Sequence, residues 1–331
     1  MKKHLLLPIA FASLQSVASE IIKIPTESGF SGSLIAGVTY LDYSSNLFKG
    51  GDDSNELHNG LLNDPKNNSL VSPLFGLDLR YTYSDTRTQV FFGNLIQDAV
   101  RFDFTQQLGL RKEINNKGIV GISYVFPLIP TEAWADPYSS STRNTTDMDS
   151  SGVRLSWDKI WNSNFNVNFT FRDYKIDKEL SGNSLGLSHE EKKLLDRNGT
   201  TSDISMSYFW IRTPRSIVSP QITVGQGNFD GKSLSFNKIL FKLSYLYNNE
   251  KWSFVSNAFG GVVSYDEVNP IFNKKADSNE FGINASFFLN NIFEIKNLSL
   301  LVSSSYAVSD SDIKFLKQSI HTHSVAFLYS F

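Results

Sequence analysis

The sequence predicts an all-β fold, a transmembrane antiparallel β-barrel of about fourteen strands within a range of about twelve to sixteen, with short periplasmic turns and long extracellular loops. Three observations lead there. Apolar and polar side chains alternate with period two along most of the chain, connections alternate between short and long, and the chain finishes on an apolar-faced strand ending at Phe331.

Composition agrees with such a wall. Hydrophobic residues make up 40% of the 331 and charged residues 19%, below the roughly 45–50% and about 25% of ordinary soluble domains. Aromatics nevertheless reach 13%, with 26 Phe, 13 Tyr and 5 Trp. A barrel needs only every second residue apolar, and its interfaces favour aromatic rings. The chain has no Cys, which excludes disulfides, thiolate metal sites and a cysteine nucleophile. A formal charge of −2 gives no pull towards nucleic acid.

At the N-terminus, Met1-Lys2-Lys3, the apolar stretch Leu5 to Leu14 and the small residues Val17-Ala18-Ser19 form the three-part pattern of a secretory signal peptide over residues 1–19. The apolar part is too short for the roughly 20 residues of a spanning helix. Residues 20–31 are expected to be a periplasmic segment or small plug, and 32–331 the outer-membrane barrel.

Strands follow from parity, because successive side chains point to opposite faces. Phe75, Leu77, Leu79, Tyr81 and Tyr83 alternate without exception with Gly76, Asp78, Arg80, Thr82 and Ser84. From Val100 the apolar set Val100, Phe102, Phe104, Leu108, Leu110 is broken only by Gln106. Two-faced runs recur at Val120 to Phe126, Val153 to Trp157, Phe165 to Phe171, Ile204 to Trp210, Ile239 to Tyr247, Phe281 to Leu289 and Leu298 to Tyr306. Less clean runs lie near Leu34 to Tyr43, Gln89 to Leu95, Ile217 to Gln226, Trp252 to Ser264 and Ile320 to Phe331.

Long connections fall near Ser45 to Ser72, Pro127 to Ser150, Lys175 to Gly199, Gly227 to Ser233, Asp266 to Asp277 and Ser309 to Lys317. Compact ones lie at Asp85 to Arg87, Asn115 to Gly118, Asn162-Ser163, Thr213 to Arg215, Asn248 to Glu250 and Asn290-Asn291. One connection, Gln97-Asp98-Ala99, is short where parity asks for a long one. On the last strand Val325, Phe327, Tyr329 and Phe331 share a face. That ending resembles the assembly signal of bacterial outer-membrane barrels, which implies engagement of the barrel-assembly machinery through Phe331. The stretch Ile24-Pro25-Thr26-Glu27-Ser28-Gly29-Phe30-Ser31-Gly32, followed by a strand and then Asn46, resembles the opening of an uncharacterised family of Gram-negative outer-membrane proteins, domain-of-unknown-function family 2860. The resemblance implies a barrel and no ligand, activity or catalytic residue.

A closed sheet in lipid turns its Phe, Leu, Val and Tyr faces outwards and its polar faces to the lumen. Parity then assigns Arg80, Arg101, Arg111, Arg154, Arg172, Lys238 and Lys242 to the lumen, opposed by Asp78, Asp103 and Glu280. A basic excess biases a pore towards anions; a structural network of ion pairs is the competing reading. Ser188-His189-Glu190-Glu191 matches a capping box before Lys192 to Leu195, so a short helix is expected in that loop, solvated or folded inwards. The loop from Pro127, with Pro130, Trp134 and Pro137, is a second candidate for an inward fold.

No nucleophile elbow, zinc helix or phosphate loop occurs, so no catalytic residue, cofactor or enzymatic activity is assigned. His321 and His323 could pair on a metal, but parity puts them on the lipid face; Asp52, Asp53, Asn55 and Glu56 lack the spacing of a calcium loop. The expected function is a porin-like passive channel for small hydrophilic solutes with mild anion preference, in the bacterial outer membrane with lipid and lipopolysaccharide around it. The alternative is a closed barrel acting as a surface receptor or adhesion scaffold through its loops.

Overall fold

A computed structural model describes residues 23–50, 56–94, 105–127 and 131–331. Alternation and turn chemistry produce sixteen strand segments: β1 (Gly29–Ser44), β2 (Asn67–Tyr83), β3 (Thr88–Asn94), β4 (Thr105–Ile114), β5 (Gly118–Pro127), β6 (Thr131–Trp134), β7 (Thr145–Asp158) and β8 (Phe165–Ile176), then β9 (Gly199–Tyr208), β10 (Trp210–Thr213), β11 (Ser216–Phe229), β12 (Phe236–Asn248), β13 (Trp252–Tyr265), β14 (Ser278–Asn290), β15 (Leu298–Ser311) and β16 (Gln318–Ser330). β5 and β6 both pair with β7, and β9 and β10 both pair with β11. Each couple is one interrupted stave, and the result is a closed antiparallel barrel of fourteen. The seam joins β1 to β16 from Ser33↔Ser330 to Ser44↔Ser319. Beyond the last pair, Gly32 N donates to Phe331 O (2.9 Å) and Phe331 N returns a bond to Gly32 O (3.0 Å).

Parity sorts the faces as the pattern requires. Phe241 is 55% exposed on the outside, while Lys238 on the same strand points inwards and is 7% exposed. Phe75, Ile122, Leu155, Val224, Phe281 and Val325 join the outer band, an apolar surface that lipid must cover. An aromatic belt rims the short-turn end, where tryptophan and tyrosine rings can meet headgroups. Its pairs include Trp157 with Trp161 (5.3 Å between ring centres), Phe165 with Tyr208 (4.7 Å) and Tyr247 with Trp252 (4.7 Å). His321 and His323 lie outwards, beside Tyr306 (4.3 Å) and Tyr40 (6.4 Å).

Long and short connections alternate around the barrel. Asn116 and Gly118 supply left-handed backbone (φ 58° and 97°) at one short turn, Gly118 packing so closely on Asp158 and Lys159 that a side chain would collide with their carbonyls. Four predicted boundaries need correction. β2 begins at Asn67 and β7 at Thr145, because polar residues continue the ladder beyond the apolar band. Thr131–Trp134, read as loop because prolines flank it, is a strand segment on β7. The turn at Asn290-Asn291 is longer, with a tight turn at Ile292–Glu294 before β15. Val100 to Phe104, with Arg101 and Asp103, and the connection at Gln97 to Ala99 lie outside the described residues, as do the signal segment, Asp52, Asp53 and Asn55.

The lumen is not polar throughout. Ile35, Leu74, Phe288, Leu301, Ala326 and Leu328 form a buried cluster on its inner face towards the short-turn end, with Val255 against it. Runs such as Phe287-Phe288-Leu289 are apolar on both faces, and alternation by itself cannot show what the inward residue will do.

Candidate functional site: a chamber beneath a loop cap

In the long-loop half of the lumen, β7, β8, β9, β11, β12, β13, β14, β15 and β16 surround a cavity of about 420 Å³. The register explains who meets there. Arg154 pairs with Thr170, Thr170 with Asp203, Asp203 with Gly225 and Gly225 with Lys238, so a row of inward residues runs across five staves. Lys238 Nζ lies 2.7 Å from Asp203 Oδ1, and Arg154 Nε donates to Thr170 Oγ1 (2.9 Å). Gly225 makes the ion pair possible, since a Cβ there would run into the Asp203 carboxylate and the Lys238 side chain. Glu280 accepts from the hydroxyls of Ser278 (2.7 Å) and Ser309 (2.6 Å).

Of the residues assigned to the lumen by parity, Arg154, Arg172, Lys238, Lys242 and Glu280 line this one cavity. Arg80 and Asp78 sit apart, joined by two bonds within one strand (2.6 and 2.7 Å). Arg111 donates to Gln89 Oε1 (2.9 Å) and lies further towards the short turns. Asp203 was not singled out from sequence, although Ile204, Met206 and Tyr208 fix it on the polar face. Phe236, Leu240, Phe259, Tyr265 and Ile320 also line the cavity, inward apolar residues that a two-colour pattern does not anticipate.

Above the chamber, loops from opposite sides of the rim meet. Tyr138, Leu195, Ala276, Ile313, Phe315 and Leu316 form one buried cluster, joined by Leu47, Leu61, Leu185, Leu187, Tyr265, Ile271 and Phe272. Polar clamps hold it. Asp136 accepts from Tyr138 N (3.1 Å), Gly182 N (2.9 Å), Ser184 N (2.9 Å) and Ser184 Oγ (2.7 Å). Arg197 Nε donates to Glu179 (2.7 Å) and its Nη2 to Ala135 O (3.0 Å). Burial pushes the Tyr138 phenol up to about 12 and lowers the His58 imidazole below its ordinary value. The expected helix is present as α1 (His189–Lys193), with Ser188 and Glu191 closing the capping box; it is solvated, and only Leu195 after it is buried in the cap. In the proline-rich loop Trp134, Ala135 and Tyr138 are buried, and Tyr138 belongs to the cap cluster.

At the opposite end Arg87 holds the described part of the N-terminal segment. It donates to Pro25 O (2.5 Å) and Ile24 O (2.7 Å) and pairs with Glu113, while Arg111 Nη2 reaches Lys23 O (3.3 Å). Ile24 is fully buried.

No curated protein matches the sequence. Among solved structures the barrel is similar to the anion-selective porin from Comamonas acidovorans (11% identity, TM-score 0.41, 92% of this chain and 99% of that chain). It is similar also to the outer-membrane-expressed OmpT of Vibrio cholerae (7%, 0.45, 92% and 97%) and to a Pseudomonas aeruginosa FadL homologue (11%, 0.41, 91% and 89%). At these scores the likeness is one of broad barrel architecture alone. The family model described as Protein of unknown function (DUF2860) matches residues 29–330, from the first residue of β1 to the last of β16, and the chain belongs to that family.

Proposed function

We propose that this barrel resides in the bacterial outer membrane, exported by its N-terminal signal, and is a passive channel for small hydrophilic solutes with a preference for anions. The observation that carries this reading is the cavity in the long-loop half of the lumen, where Arg154, Arg172, Lys238 and Lys242 face two carboxylates, Asp203 and Glu280. A positive field in a low-dielectric wall raises the local concentration of anions. Arg80, Arg111 and Asp78 lie on the same inner face nearer the short turns and would extend the path; Arg101 and Asp103 are assigned to it by parity alone. Chemistry on a bound substrate is no part of the reading. The barrel would enter the membrane through recognition of its Phe331 end by the assembly machinery, with lipopolysaccharide against its long-loop rim.

Planar-bilayer recording of refolded protein tests it. Discrete steps in potassium chloride are expected, with a reversal potential on the anion side that moves towards zero in Lys242→Gln plus Arg154→Gln. Silent bilayers, or cation preference in the native chain, would sink the channel reading.

The cap favours a second reading, a closed barrel that presents its loops as a receptor or adhesion surface. Loops from opposite sides of the rim share one apolar cluster, and a shape held that firmly suits recognition. That reading predicts silent bilayers together with surface binding that is lost when 177–198 is shortened.

A further inference from the structure

We propose that the chamber beneath the cap is a binding site for an amphipathic organic anion, a carboxylate carried on an aromatic or short aliphatic body. The proposal narrows the solute class of the channel reading and rests on it for the route by which the ligand enters.

The chamber's lining mixes two kinds of side chain. Arg154 and Arg172 project from β7 and β8 and Lys242 from β12, around the Asp203–Lys238 pair. Among the described residues, four cationic side chains and two carboxylates, Asp203 and Glu280, line the chamber, a balance that favours an anionic guest. Phe236 and Leu240 alternate with Lys238 and Lys242 along the inward face of β12, and Phe259 and Ile320 point into the space from β13 and β16.

These apolar residues are not a slip of register. Ile239, Phe241 and Leu243 hold the outer face of β12 without interruption, and the ladder to β13 is regular from Phe236↔Tyr265 to Asn248↔Ser253. Phe236 and Leu240 are inward by register, at positions where an aqueous pore needs water-binding groups. Burial of an apolar guest against such side chains is favourable in proportion to the area removed from water, a gain that an inorganic anion cannot exploit.

Lys242 and Phe259 are partners across the β12–β13 ladder, so a cationic and an aromatic residue of the lining stand on neighbouring staves at one level of the chamber. Gly282 opposite leaves room for that ring: a Cβ at Gly282 would approach Phe259 Cε1 to 2.5 Å. A guest whose carboxylate meets Lys242 finds Leu240 and Phe259 in the same lining for its body. The volume, about 420 Å³, falls within the roughly 300–1,000 Å³ usual for small-molecule sites.

Equilibrium dialysis of the refolded full chain in non-ionic micelles against labelled benzoate, with protein-free micelles as the blank, tests the proposal without requiring conduction. Saturable benzoate binding is expected, with acetate and benzyl alcohol each weaker as competitors by about tenfold or more. Phe259→Ser should weaken benzoate while leaving acetate unchanged; Lys242→Gln should weaken both. Heat-modifiable gel mobility checks that each variant is folded, and Leu240→Ser serves in place of Phe259→Ser if the latter fails. Benzoate bound no better than acetate or than benzyl alcohol, or binding indifferent to both Phe259→Ser and Lys242→Gln, would overturn the proposal. Bilayer recording separates it from the reading it rests on: benzoate binding with silent bilayers supports the site and removes the channel, and conduction without benzoate preference does the reverse.

Discussion

Arg143 lies almost wholly buried in the cap, where it donates to the carbonyls of Asn46 (2.6 Å), Pro137 (3.1 Å) and Glu56 (3.2 Å) and stacks 4.4 Å over the ring of Trp134. It thereby ties the first long loop to the 135–144 loop, while Asn46 Nδ2 continues the link to Phe315 O (3.0 Å). Arg143→Met would strip those carbonyls of a charged donor, a loss of about 1.5–3 kcal/mol per bond to a charged group before relaxation. The expected outcome is proteinase K cleavage within 45–66 at least several-fold faster, with the barrel's heat-modifiable mobility unchanged. Nothing in the sequence marked Arg143, because its partners are backbone atoms of distant loops and leave no periodic trace. Arg154, Arg172, Lys238, Lys242 and Glu280 were legible because a strand fixes side-chain direction once one neighbour is known. Phe236, Leu240 and Phe259 were not, since apolar residues on a polar face read as noise until the register is seen.

Among the elements, the staves were the most legible. A barrel in lipid must keep every backbone group paired and one face apolar, and both demands act on each strand independently. What escaped was the division of staves into β5 and β6 and into β9 and β10; the ladder to β11 keeps one register from β9 into β10 and slips only between Ile211 and Thr213, a local break that leaves composition unchanged. Above the apolar band lipid no longer constrains the pattern, and the strand ends were read short for that reason. The N-terminal segment belongs at this scale too. Its hold on Arg87, itself left-handed at φ 50° in a short turn, is by backbone carbonyls alone. Arg87→Ala should free it. The chain has no cysteine, so Ile24→Cys would carry a single thiol, buried in the parent and labelled by a maleimide about tenfold faster or more once Arg87 is replaced. Equal labelling in both backgrounds would show that the segment is held otherwise.

For the molecule as a whole, the cap is the part most responsive to conditions. His58 Nδ1 accepts from Gly60 N (2.9 Å), its Nε2 faces Tyr138 O (3.4 Å) and its ring meets Phe315 edge to face (5.1 Å). Burial, with Arg143 and Lys66 nearby, lowers its pKa from 6.5. A lowered histidine pKa means that the unfolded loop binds the proton more readily. Stability is therefore complete above pH 6.5 and is lost progressively as pH falls below it. Loop proteolysis should rise between pH 7.5 and 5 in the native chain, and the rise should shrink in His58→Asn. The exposed His189 on α1 gives the control, His189→Asn, which should leave it in place.

The seam carries a consequence for how the molecule is made. Ser33 lies beside Ser330, so the first stave waits for the last. Until β16 is synthesised, β1 and β15 are open edges, each a template for pairing with another chain. Loop-closure entropy adds only about 0.6 kcal/mol per doubling of the span, but contacts so remote in sequence form slowly. The newly made chain therefore faces a long interval in which aggregation competes with closure, and whatever holds it unfolded on its way to the membrane matters as much to its yield as the stability of the finished wall.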